Sequence, residues 1–72
     1  MYHYYLSEQN GSFVCQGFVW TATELSQILL DLCGDFPRLS PFLEDLSAIV
    51  ETESNIFADD VVINEKLVLE FL

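Results

Sequence analysis

Residues 10–34 read NGSFVCQGFVWTATELSQILLDLCG, and within them the chain passes from strand to helix. Asn10-Gly11 offers two residues that tolerate positive φ, as a type I′ turn requires. The aromatic run Tyr2-His3-Tyr4-Tyr5-Leu6 before it favours a strand, so the pair reads as a hairpin. A second strand then runs from about Ser12 to Trp20. Strand alternation puts Phe13, Cys15, Gly17 and Val19 on one face and Val14, Gln16, Phe18 and Trp20 on the other. Both faces carry large apolar groups, so one packs on helices and the other is either covered or left as an exposed patch of the kind that marks an interface. Thr21-Ala22-Thr23-Glu24 has the form of a capping box, with Thr21 and Glu24 each satisfying a free backbone N–H. Leu25, Ile28, Leu29 and Leu32 follow at i, i+3, i+4 and i+7, which predicts a helix from Ala22 to Cys33 that Gly34 ends.

Downstream, Ser40-Pro41 is a second start signal, a capping serine before a proline in the first turn. Leu43, Leu46, Ile49 and Val50 trace the apolar side of a second helix, Pro41 to Glu51. After the polar stretch Thr52 to Asn55, Val61-Val62-Ile63 and Leu67-Val68-Leu69 with Phe71 flank Asn64-Glu65-Lys66. They read either as a second hairpin or as one long bent strand. Two strands, two helices and one or two strands make an α+β domain: a small, mainly antiparallel sheet built from the two ends of the chain, with both helices on one face. Seventy-two residues allow a single domain. The 51% hydrophobic content, with six Phe, three Tyr and one Trp, supports a packed core despite the small size.

Twelve Asp and Glu stand against Arg38 and Lys66, a net charge of −10. Glu8 is the only acid before Glu24, so the anionic surface belongs to the last two thirds of the chain. This balance excludes direct binding to nucleic acids or anionic membranes, which draws on clustered Lys and Arg. It also exceeds the magnitude of about 2 to 8 that keeps a small domain soluble. No apolar run approaches the roughly 18 to 20 residues that span a bilayer, and no charged segment followed by an apolar one opens the sequence. The expectation is a cytoplasmic protein whose Cys15 and Cys33 are unlinked and largely buried near Leu25, Leu29, Leu32, Leu46 and Ile49.

Motifs for catalysis are missing. His3 is the single histidine and no Ser-His-Asp or Cys-His spacing forms around it. His3, Cys15 and Cys33 give three potential zinc ligands without a Cys-x-x-Cys pair. Asp59-Asp60 with Asn64 and Glu65 lacks the alternating acids and central glycine of an EF-hand. Phosphoryl chemistry has no glycine-rich loop and only two cations to hold phosphate. The expectation is a non-enzymatic protein with no cofactor and no bound metal.

What remains is the placement of acids on the polar sides of the helices. Glu24, Asp31 and Asp35 recur at i, i+7 and i+11, and Glu44 and Glu51 at i and i+7. Asp45, Glu53, Asp59 and Asp60 lie between or beyond them. An i, i+7 pair is about 10 Å apart along a helix. Two such helices side by side would approach the phosphate density of a DNA strand, where neighbours lie roughly 6 to 7 Å apart. In length, in the acids between Glu24 and Asp60 and in element order, the chain resembles the small acidic inhibitors that bacteriophages and mobile elements encode against host defence, in particular anti-CRISPR proteins and DNA mimics. That resemblance implies a stoichiometric inhibitor, monomer or homodimer. Its acids would stand in for phosphates in the basic channel of a CRISPR effector or another nucleic-acid-binding host protein in the cytoplasm. The alternative is an interaction or oligomerisation module that uses an apolar hairpin face around Tyr5, Phe18 and Trp20, with the acids only solubilising.

Overall fold

The fold begins where the sequence changes character, at Thr21. In the computed structural model, which describes all residues from Met1 to Leu72, the Thr21 hydroxyl accepts a hydrogen bond from the Glu24 N–H at 3.1 Å. The Glu24 carboxylate accepts from the N–H of Trp20 at 2.7 Å, one residue further back than the capping residue itself. Before this cap stand strands β1 (Tyr2–Glu8) and β2 (Phe13–Val19). After it come helices α1 (Ala22–Asp35) and α2 (Ser40–Thr52), then β3 (Val61–Ile63) and β4 (Leu67–Phe71). Short 3₁₀ turns at Pro37–Leu39 and Ile56–Ala58 make the connections.

All strand pairs are antiparallel and the order across the sheet is β2-β1-β4-β3. The strands from the two ends of the chain are thus its central pair. The protein is α+β, with both helices on one face of the sheet. On that face the strands contribute Tyr4, Leu6, Val19, Leu67 and Leu69 to the core. From the helices come Leu25, Leu29, Leu43, Leu46 and Val50, with Leu39 and Ile56 from the 3₁₀ turns. α1 rests against β2 and α2 against β4. The C-terminal segment is a hairpin and not one bent strand, because the Asn64 side chain shapes a turn. Its Oδ1 accepts from the N–H groups of Lys66 at 3.2 Å and Leu67 at 2.9 Å.

Several local expectations are corrected. The first turn is not type I′, because Gly11 at φ 94° is the only residue with positive φ and Asn10 has none. The Gly11 N–H instead closes onto the Glu8 carbonyl at 2.9 Å, and Asn10 Oδ1 accepts from the Ser12 N–H at 2.9 Å. This is the three-residue arrangement with glycine in the left-handed position. Ser7 pairs with Phe13 and Leu6 with Cys15, so Val14 is an extra residue in a bulge. The bulge turns Val14 into the core and Phe13 outward, the reverse of uninterrupted alternation. Gly34 does not end α1, which runs to Asp35. The stop is Pro37, which forces Phe36 out of helical geometry at φ −127°, ψ 67°. Nor does Ser40 cap α2: it is already helical at φ −50°, ψ −48°, since the preceding 3₁₀ turn leads straight into the helix.

The cysteines are free, yet both are only half-buried. Cys15 lies in β2, where burial pushes its thiol above the usual range and a hydrogen bond with Tyr4 opposes that rise. Cys33 is directed at the carbonyls of Leu29 and Ser40, each 3.7 Å away. Of the apolar neighbours expected beside them, Leu25, Leu29 and Leu46 are buried, while Leu32 and Ile49 pack on the core from its margin.

The Tyr4 ring lies across Gly17, its cross-strand partner. A Cβ on Gly17 would stand 2.9 Å from the Tyr4 hydroxyl and 3.1 Å from its ring. Gly17→Ala is expected to destabilise the protein by about 1–3 kcal/mol, the usual cost of overpacking, in urea denaturation. Burial first, and then the neighbouring Cys15, push the Tyr4 phenol up to about 12. A phenol held protonated in the folded state but free to ionise near 10 when unfolded stabilises the fold fully below about pH 10 and loses that contribution between about 10 and 12. Denaturation midpoints measured across that window should fall in the parent more than in Tyr4→Phe.

Candidate functional site

Eleven of the twelve acids belong to the chain from Glu24 onward, and for the six on α1 and α2 helical periodicity determines where they point. Glu24, Asp31, Asp35, Glu44, Asp45, Glu51, Glu53, Asp59 and Asp60 are all exposed. None of these nine makes an ion pair: the one salt bridge is Arg38 Nη2 to Glu8, 3.1 Å from each carboxylate oxygen. Two of the nine also serve the fold. Glu24 belongs to the α1 cap, and Asp45 Oδ2 accepts from Asn64 Nδ2 at 3.2 Å. The other seven carboxylates have no hydrogen-bond partner within the chain. Asp35 ends α1, Glu51 lies in the last turn of α2 and Glu53 follows it, with no basic residue in either last turn. There the helix dipole disfavours negative charge.

The helices meet through two buried serines, Ser26 and Ser47, whose hydroxyl oxygens are 2.5 Å apart. Around α1, the row Glu24–Asp31–Asp35 stands about 140–180° from Ser26, on the side away from α2. On α2, Glu44 and Glu51 stand only about 40–60° from Ser47, close to the seam between the helices. Gln27 and Leu30 of α1 therefore separate the two acidic rows by roughly one helix diameter, about 10 Å. The helix layer carries two parallel acidic rows and not one continuous strip.

Both cations sit at one pole of the molecule. Arg38, Lys66, Glu8, Glu65, Gln9 and Asn10 line a shallow cleft of about 280 Å³ where the two hairpin turns meet. The Gln9 N–H donates to the Lys66 carbonyl at 2.7 Å, and its side-chain amide donates to the Asn64 carbonyl. With two acids beside two cations the cleft is neutral, while the helix layer is left without any base. No three His, Cys, Asp or Glu side chains converge as the ligands of a metal would. No helix is long and apolar enough to cross a membrane.

The opposite layer has another character. The sheet face turned away from the helices carries Phe13, Gln16 and Phe18 of β2 and His3, Tyr5 and Ser7 of β1. Val68 and Glu70 of β4 and Val61 and Ile63 of β3 complete it. Its aromatics are ordered by one another. His3 stacks on Phe18 at 4.6 Å and its Nε2 lies 3.0 Å from Gln16 Oε1, while Tyr5 leans on Phe13 at 5.2 Å. Trp20, just beyond β2, is exposed as well. Of the alternative apolar site, Tyr5 and Phe18 thus share the open face with Phe13, Val61 and Ile63. The last three reach that face through the bulge in β2 and the pairing of β3, neither of which alternation in the sequence signals. No protein-family model matches the chain, and no match to it was found among curated proteins or solved structures.

Proposed function

We propose that this chain is a non-enzymatic binding protein whose acidic helix layer engages the positively charged surface of a nucleic-acid-binding protein, as an inhibitor acting as a DNA mimic would. A CRISPR effector or another defence nuclease of the host cytoplasm is the type of partner this reading names. The supporting observation is the set of exposed carboxylates on and beyond α1 and α2 that have no ion-pair partner, three of them at helix C-termini where they oppose the dipole. Seven are free of any structural duty, and neither helix carries a base, so the layer costs self-repulsion that a partner's cations would relieve. Two rows roughly 10 Å apart suit a basic groove better than a flat patch, since each row can meet one wall.

The test is capture of partners from the host lysate on the immobilised chain, with duplex DNA as competitor. The expected partner binds nucleic acids, is displaced by excess DNA and is released by salt, because exposed charge pairs are screened. Reversing Asp31, Asp35, Glu44 and Glu51 to Lys together should weaken capture about tenfold or more while circular dichroism stays unchanged. The proposal fails if that variant captures the same partner as well as the parent does. A second reading, in which the open sheet face carries the interaction, rests on its exposed aromatics and gains if Phe18→Ser abolishes capture instead.

A further inference from the structure

We infer that the open face of the β2-β1-β4-β3 sheet is a dimer interface whose occupant is a second copy of this chain, packed sheet against sheet with the helix layers outward. On this face Phe13 and Phe18 are 53% and 59% exposed, and Val61 and Ile63 are 44% and 57% exposed. With aromatic side chains offering about 150–250 Å² each, these four residues leave on the order of 400 Å² of largely apolar surface in water. That is a patch of the size, about 300–600 Å², that is often functional on a monomer. With Tyr5, Val68 and His3 added it reaches the scale of a weak, reversible interface, under about 600 Å² per partner.

Charge sets the direction in which a second copy approaches. Two chains of −10 repel wherever their helix layers face each other. The outward positions of the four strands hold one formal charge, Glu70, so this is the face on which two copies meet with their acids farthest apart. The same carboxylate sets the symmetry. Gln16, Tyr5, Glu70 and Val61 form one row across the sheet, because Tyr5 pairs with both Gln16 and Glu70 and Val61 pairs with Glu70. A two-fold axis running across the strands through this row would stack Glu70 on its own copy. An axis along the strands instead lays β1 over β4 of the second copy, so that each Tyr5 hydroxyl meets the other copy's Glu70. In the next row it sets Phe13 over the other copy's Ile63. The stacked His3–Phe18 and Tyr5–Phe13 pairs are already ordered in the single chain, which lowers the entropy lost on docking.

Sedimentation equilibrium on the 72-residue chain, from about 5 to about 500 μM, tests this at an affinity on the order of micromolar, suited to an interface at the small end of the range. The expected result is a reversible monomer–dimer equilibrium that tightens severalfold as salt rises, because screening relieves the repulsion between two anionic chains. Phe18→Lys and Ile63→Lys, both at exposed positions, should stay monomeric throughout with unchanged circular dichroism. Leu30→Lys, at an exposed apolar site on α1, should dimerise like the parent. A parent that is monomeric at the highest concentration overturns the inference, as does a Phe18→Lys or Ile63→Lys chain that dimerises normally. A dimer that dissociates as salt rises also overturns it, since that behaviour belongs to the acidic layer docking on the Arg38–Lys66 pole.

Discussion

Ser47→Leu is expected to cost about 3 kcal/mol or more, a large share of the stability of a domain this small, which at about 0.05–0.15 kcal/mol per residue holds roughly 4–11 kcal/mol. Ser26 and Ser47 are buried where α1 and α2 pack against each other. Besides their mutual contact, Ser47 Oγ donates toward the Ser26 carbonyl at 3.2 Å and Ser26 Oγ lies 3.4 Å from the Ser47 carbonyl. Leucine would add atoms between two closely packed helices and would also remove the Ser26 hydroxyl's shortest contact, leaving it only the carbonyl of residue 47 at 3.4 Å. The midpoint of thermal unfolding should drop by roughly 12–24 °C. Ser26→Ala with Ser47→Ala together should stay within about 1 kcal/mol of the parent, because removing both members of a buried polar pair leaves neither unsatisfied. A double variant that loses more than the Leu single variant would show that the hydroxyls, and not the close approach, hold the helices together.

Asn64→Ala should destabilise by about 2 kcal/mol or more, since one side chain makes four hydrogen bonds, each worth about 0.5–1.5 kcal/mol net. Its Oδ1 holds the turn through Lys66 and Leu67, and its Nδ2 donates to the Phe42 carbonyl at 2.9 Å and to Asp45. The residue thus ties the second hairpin to the start of α2. Asn64→Asp keeps the turn acceptor but loses both donors and sets a carboxylate against Asp45. Its stability should therefore be lower than that of the parent and fall further as pH rises through the carboxylate range near 4. Adding Asp45→Asn to Asn64→Asp restores an amide opposite a carboxylate and should recover part of the loss in chemical denaturation. No recovery would mean that the bond to Phe42 carries most of the effect.

The elements with strong local signals were legible in the sequence: the Thr21–Glu24 cap, the leucine spacing of α1 and α2 and the separation of two strand-rich ends. Boundaries set by tertiary context were not. Gly34 looked like the stop for α1, but nothing required a positive φ there and Pro37 ended the helix by sterics. The Val14 bulge cannot be read from alternation, because a bulge is an exception to alternation, and it exchanges Phe13 and Val14 between the faces. Ile56 gave no periodic signal, yet it is buried, and the adjacent Phe57 stacks on Tyr2 at 3.9 Å and meets Phe71 edge-on. The acids of the candidate site were legible as residues, but their division into two rows depended on the Ser26–Ser47 contact, which relates the rotations of the two helices. The open face emerged only once β3 was paired, since Val61 and Ile63 become part of a surface through their partners.

The central β1–β4 ladder pairs Tyr4 with Phe71, so it closes a loop of nearly the whole chain. Both hairpins and the helix pair consist of neighbours in sequence and can form on microsecond timescales by themselves. None of them buries Leu6, Leu67 or Leu69 until the ends meet, and loop closure must come before that gain. The folding rate is therefore governed by one long-range event, with the two hairpins docking late as preformed units. Before they dock, each hairpin presents an unpaired inner edge, β1 on one and β4 on the other. The interval before docking is when the chain is most open to pairing with a strand other than its own.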